Sequence, residues 1–121
     1  MSNWSRITNG LQSFTEVSAS ATISTNTLTL DLSTATTFYV SLNADITTMT
    51  ISNAQSPGVS AFTLILTADG TARAVTWANS ISWQGLTVPV LTSTNNKRDI
   101  FTFLTINGGT NWYGFTAGQN F

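Results

Sequence analysis

The chain of 121 residues contains no histidine and no cysteine, and its four basic and five acidic side chains leave a net charge of −1. General acid–base catalysis and transition-metal ligation draw on the missing residue types, so the sequence argues against an enzyme, a bound metal or any cofactor. So small a charge offers no footprint for nucleic acid or an anionic membrane, while the length supports one domain with its own core.

Residues 1–24 are dominated by Ser, Thr, Asn and Ala, with isolated apolar residues at Trp4, Ile7, Leu11, Phe14 and Val17. Their spacing faintly suggests a helical stripe, but the β-branched and hydroxyl residues between them oppose a stable helix. The expectation is a short polar N-terminal arm over 1–24 that becomes ordered on a neighbouring subunit, with Trp4 anchored in a partner's pocket. Met1–Arg6 shows no basic stretch followed by an apolar one, and no run approaches the ~18–20 apolar residues of a membrane span. A protein made in a cytoplasm without a secretion signal is therefore expected.

From Leu28 the period changes to two: Leu28, Leu30 and Leu32, then Phe38, Val40 and Leu42, then Met49 and Ile51, then Phe62, Leu64 and Leu66, mostly separated by Thr, Ser or Asp. That alternation predicts half-buried strands. Turn chemistry punctuates them at Asn43–Asp45, Asn53–Gly58, Asp69–Gly70, Asn95–Asn96 and Asn107–Gly109. The fold expected for 25–121 is all-β, a single antiparallel β-sandwich of jelly-roll-like or barrel-like form. Two hairpins are predicted, one joining 62–68 to 72–77 through Asp69-Gly70-Thr71, the other joining 100–106 to 112–115. Phe121, an aromatic at the last position, is expected to pack on its own sheet or on a neighbour.

Few residues offer chemistry. Asp31 alternates with buried leucines and should face solvent, Asp45 and Asp69 read as turn residues, and a catalytic carboxylate pair is not indicated. Asp99 follows Lys97 and Arg98 at the start of a strand, where the three form either a solubilising charged turn or an inter-subunit ion pair or sugar contact. Trp77, Trp83 and Trp112 are assigned to the core or to an interface, because rings of that size in strands usually fill buried space. The candidate interface residues are thus Trp4, Ile7, Leu11, Phe14, Lys97, Arg98, Asp99 and Phe121.

The stretches Leu64–Gly70, Ala74–Trp77, Ile81–Trp83, Pro89, Asp99–Leu104, Gly108–Phe115 and Ala117–Phe121 occur in an order that resembles a module of tailed-bacteriophage virion proteins, above all those of cyanophages and marine phages. The resemblance spans Phe38 to Phe121. In such relatives the module often ends longer tail or fibre proteins, whereas here only a short polar arm precedes it. The resemblance implies a non-enzymatic virion structural protein, expected to be a homotrimeric capsid decoration or cement protein contacting the major capsid protein. The alternative it implies is a tail-fibre or baseplate module that contacts tail proteins and binds host surface glycan.

Overall fold

The computed structural model describes residues 15–121. Its strands are β1 (Ser18–Ser20), β2 (Thr27–Asp31), β3 (Thr37–Leu42), β4 (Thr48–Ser52), β5 (Ser60–Ala68), β6 (Ile81–Trp83), β7 (Arg98–Thr105) and β8 (Trp112–Gly118), with one 3₁₀ turn at Gln84–Leu86. A six-stranded sheet, ordered β1-β3-β5-β7-β8-β6, packs against a two-stranded sheet of β2 and β4. The all-β expectation holds. Each alternating stretch read from the sequence becomes a strand with its apolar residues turned inward: Leu28 and Leu30, Phe38, Val40 and Leu42, Met49, and Phe62, Leu64 and Leu66 are all buried.

The strand pairing differs from an antiparallel sandwich. β1 pairs parallel with β3 and β3 parallel with β5, while β2 pairs parallel with β4. The chain passes from one sheet to the other and back, so its first half winds as stacked coils and each coil lays its inward residues on those of the last. Leu28 lies beside Met49 and Leu30 beside Ile51 in one sheet; Phe38 lies beside Leu64 and Val40 beside Leu66 in the other.

The corners stack as well. Asn26, with φ of 58°, donates from its side chain to the Asp45 carbonyl at 2.9 Å, and the Asp45 carboxylate accepts the Ala74 N–H at 3.0 Å. At the opposite corner Asn53 donates to Asp31 Oδ1 at 2.8 Å, joining the end of β4 to the end of β2. Side chains thus satisfy corner groups that a hairpin would satisfy by ladder pairing.

Of the two predicted hairpins, the second forms, as β7 and β8 pair antiparallel. The first does not. After Asp69-Gly70 the chain crosses to the other sheet, where Val75 bridges Ile46 in parallel, and the place beside β5 is taken by β7, antiparallel. The crossing brings Trp77 against Trp83 and Phe101, with ring centroids 4.9 and 5.4 Å apart, a burial that a hairpin partner of β5 would forgo. Residues 18–20, within the stretch read as an arm, form an edge strand of the large sheet.

The core is aliphatic at the coiled end and aromatic at the other. Phe62 stacks on Phe103 with centroids 4.9 Å apart and meets the edge of Trp112 at 5.0 Å. Trp83 packs against Phe101 and Phe103, and its ring lies so near the backbone of β8 that a Cβ at Gly114 would stand 2.9 Å from it. Trp112 and Trp83 are buried and Trp77 partly so, as a core assignment requires.

Trp83→Ala should cost about 3–5 kcal/mol, the range for deleting a buried aromatic. Gly114→Val should be comparably harmful, since its side chain and the Trp83 ring cannot both fit; wild-type melting midpoints for either variant would place the Trp83 ring elsewhere. Gly70 has φ of +90°, so Gly70→Val should cost at least about 1 kcal/mol in the same measurement; an unchanged melt would mean an ordinary backbone conformation there.

Candidate functional site

Of the residues singled out from the sequence, Trp4, Ile7, Leu11 and Phe14 lie outside the described residues. Arg98, Asp99 and Phe121 are brought together, but as an internal clasp. Asp99 is 2% exposed; its Oδ2 accepts the Thr92 N–H at 2.7 Å and the Gln119 side-chain amide at 3.0 Å, and its Oδ1 accepts the Asn120 N–H at 3.0 Å. Gln119 also donates to the Val90 carbonyl at 2.7 Å, and Arg98 and Phe121 exchange two backbone hydrogen bonds. One carboxylate therefore pins the C-terminal residues and the long 87–97 loop to the start of β7.

An interfacial ion pair or sugar contact is not open to Asp99, because the chain's own donors surround it. Lys97 and Arg98 carry exposed side chains, and the ion pair among the described residues is Arg73 with Asp69 at 2.6 Å. Phe121 is 64% exposed, with one edge of its ring against Gly118; the expectation that it packs is met at that edge alone.

Asp31, Asp69 and Asp99 are held ionised by their hydrogen-bond partners. Burial pushes Asp99 up, but the hydrogen bonds from Thr92, Gln119 and Asn120 outweigh it and leave its pKa below the usual value. The Asn53 and Ser33 side chains lower Asp31, and Arg73 lowers Asp69. Among the described residues no cluster of His, Cys, Asp or Glu could hold a metal ion.

What the fold presents outward is a sheet face whose one charged residue on the four central strands is Arg98, at the start of β7. Because Leu64 and Leu66, Phe101 and Phe103, and Trp112 point inward, their neighbours on the same strands point outward. Tyr39 lies beside Ile65, and Ile65 beside Ile100. Leu104 lies beside Tyr113, and Thr102 beside Phe115. Tyr39, Tyr113 and Phe115 are 40–48% exposed, and β3, β5 and β8 carry no charged residue. Sequence reasoning placed the strands but not this face, whose signal was Ile65, Ile100 and Leu104 at the positions that a solvated sheet gives to polar residues.

A second feature is a groove of about 400 Å³ where Trp77 and Val75 meet Val88, Val90 and Leu91. Beside it Leu86 is 91% exposed with φ of 57°. Comparison with known proteins returns no family model, no curated protein and no solved structure that matches this chain.

Asp99→Asn should destabilise the fold by about 1–3 kcal/mol, because a buried amide in place of one oxygen turns a donor toward a donor. A folded-state pKa below the unfolded value means that Asp99 stabilises fully above the unfolded pKa, near 4, and loses that effect as pH falls through the lower folded pKa. The melting midpoint of the wild type should therefore drop below about pH 4, and Asp99→Asn should flatten part of that drop. Parallel curves for the two proteins would show that Asp99 carries none of it.

Proposed function

We propose that this protein is a non-enzymatic structural protein of a bacteriophage virion, a decoration or cement protein that binds the capsid through surface contact. The observation that carries the contact reading is the outer face of the six-stranded sheet, which holds Tyr39, Ile65, Ile100, Leu104, Tyr113 and Phe115, with Arg98 at the start of β7 as the one outward charged residue on its four central strands. Apart from the strand end that carries Arg98, such a face can be buried without stripping water from ions, and its tyrosine and phenylalanine rings are of the kind that anchor interfaces. The assignment to a virion rests on the resemblance of Phe38–Phe121 to phage structural modules.

The second reading, a tail-fibre or baseplate module for host glycan, is favoured by one feature: the partly open Trp77 in the groove beside Val88–Leu91. An aromatic ring in such a groove can stack on a sugar ring.

The test is co-sedimentation with phage heads lacking the protein, beside a host-glycan array. Wild-type protein should bind heads, and the double variant Tyr113→Ala, Phe115→Ala should keep its fold while binding tenfold or more weakly. Undiminished binding would remove the sheet face from the contact. Absence of head binding together with array signals lost in Trp77→Ala would replace the capsid reading with the glycan one.

A further inference from the structure

The coiled stack ends in sheet edges on both sides: β6 and β4 at the closed end, so named for the turn and the bridge that cover part of it, and β1 and β2 at the open end. At the closed end β6 runs into the 3₁₀ turn Gln84–Leu86, and Val75 covers the start of β4 by bridging Ile46. At the open end β1 and β2 each have, among the described residues, a strand neighbour on one side alone. Both edges face the same way, since a cavity of about 250 Å³ is lined by β1 and β2 residues together, Ala19 and Ser20 with Thr27, Thr29 and Asp31.

The direction of the unused backbone groups follows from the ladder. In a parallel pair, alternate residues send both N–H and C=O to the same neighbour. The Val17 carbonyl accepts the Thr36 and Thr37 N–H groups and the Ala21 N–H donates to the Tyr39 carbonyl, so Val17 and Ala21 bond to the β3 side and the N–H and C=O of Ser18 and Ser20 point to the open edge. Asn26 and Leu32 bond to the β4 side, so those of Thr29 point to the open edge of the second sheet. Natural sheets guard such edges with Lys, Pro or bulges. Residues 15–31 hold no Lys, Arg or Pro, and their ionised side chains are Glu16 and Asp31.

We propose that this open end is a self-association site, where a second copy of the chain pairs β1 with β1 and β2 with β2 about one two-fold axis along the sheet normal. That rotation reverses strand direction and keeps each sheet in its own layer, so both edges are paired antiparallel at once. It also closes on itself at these two edges, while β6 and β4, the edge strands of the far end, take no part. With the register centred on Thr29, each Asp31 lies opposite Thr27 of the second copy and like charges do not meet. Two layers ~10 Å apart with strands of this length give a contact of roughly 800 Å² in total, at the low end for specific pairs, so the dimer is reversible. It keeps both outer sheet faces on one side, doubling the face offered to a particle; the pairing itself does not depend on the virion reading.

The test is sedimentation velocity on the full chain from micromolar to millimolar concentration, with single-cysteine cross-linking, for which a chain without native cysteine is suited. Wild type should pass from monomer to dimer, and Thr29→Cys should give covalent dimers where Gln84→Cys, at the closed end, does not. Ser20→Pro removes an edge-facing N–H, and Thr29→Lys sets like charges across the axis; each should weaken association tenfold or more at an unchanged melting midpoint. Lys is included because it leaves the backbone free should Pro disturb the strand. A monomer at every concentration would overturn the proposal. So would a dimer indifferent to Thr29→Lys, or a monomer whose Ser18 and Ser20 amides resist hydrogen exchange.

Discussion

Parallel stacking of one coil on the next is the interaction on which the rest of this structure depends. A strand in the middle of such a stack is paired on both edges and buried on one face, so it needs an apolar residue at every second position and a corner that can satisfy its own polar groups. Leu28 over Met49 and Leu30 over Ile51 meet the first need in the small sheet, as Phe38 and Val40 beside Leu64 and Leu66 do in the large one. Asn26, Asp31, Asp45 and Asn53 meet the second at the corners. The hairpin of β7 and β8 then completes the large sheet on the far side of β5, and its aromatic residues fill the wider space between the layers.

This economy explains how a β-protein with so few charges holds together. Every aspartate accepts a backbone N–H: Asp31 from Ser33, Asp45 from Ala74, Asp69 from Thr71, and Asp99 from Thr92 and Asn120. The acidic residues are therefore internal fasteners of turns and corners, and the lowered pKa values of Asp31, Asp69 and Asp99 follow from that use. With the aspartates committed to the backbone, the exterior carries few charges, Lys97 and Arg98 among them, beside hydroxyls, amides and the apolar residues of one sheet face. Such a surface suits lasting contact with another neutral surface, because little hydration energy of ions is lost when it is covered.

The same feature ties the sheet face to the open end of the stack. A two-fold at that end sets two faces side by side, and a weak contact made twice on one rigid body is held far more firmly than once. The Trp77 groove lies between the segment 72–77 and the loop held by the Asp99 clasp. Its shape thus depends on a buried carboxylate that does not line it.

Period-two alternation by itself determined that the chain is all-β, where most strands lie and which of their residues face inward, because side chains alternate across any strand whatever its neighbour. The same signal is blind to the direction of that neighbour, so whether Phe62–Ala68 would pair with the next apolar stretch or with 98–105 was decided only in three dimensions. There the crossing at Asp69-Gly70 buries Trp77 among Trp83 and Phe101, a gain invisible to local turn chemistry. Lys97-Arg98-Asp99 likewise read as a charged turn, since nothing nearby in sequence announces that Thr92, Gln119 and Asn120 converge on one carboxylate. Local pattern specifies the side a residue faces; long-range packing and hydrogen bonding choose what it meets there.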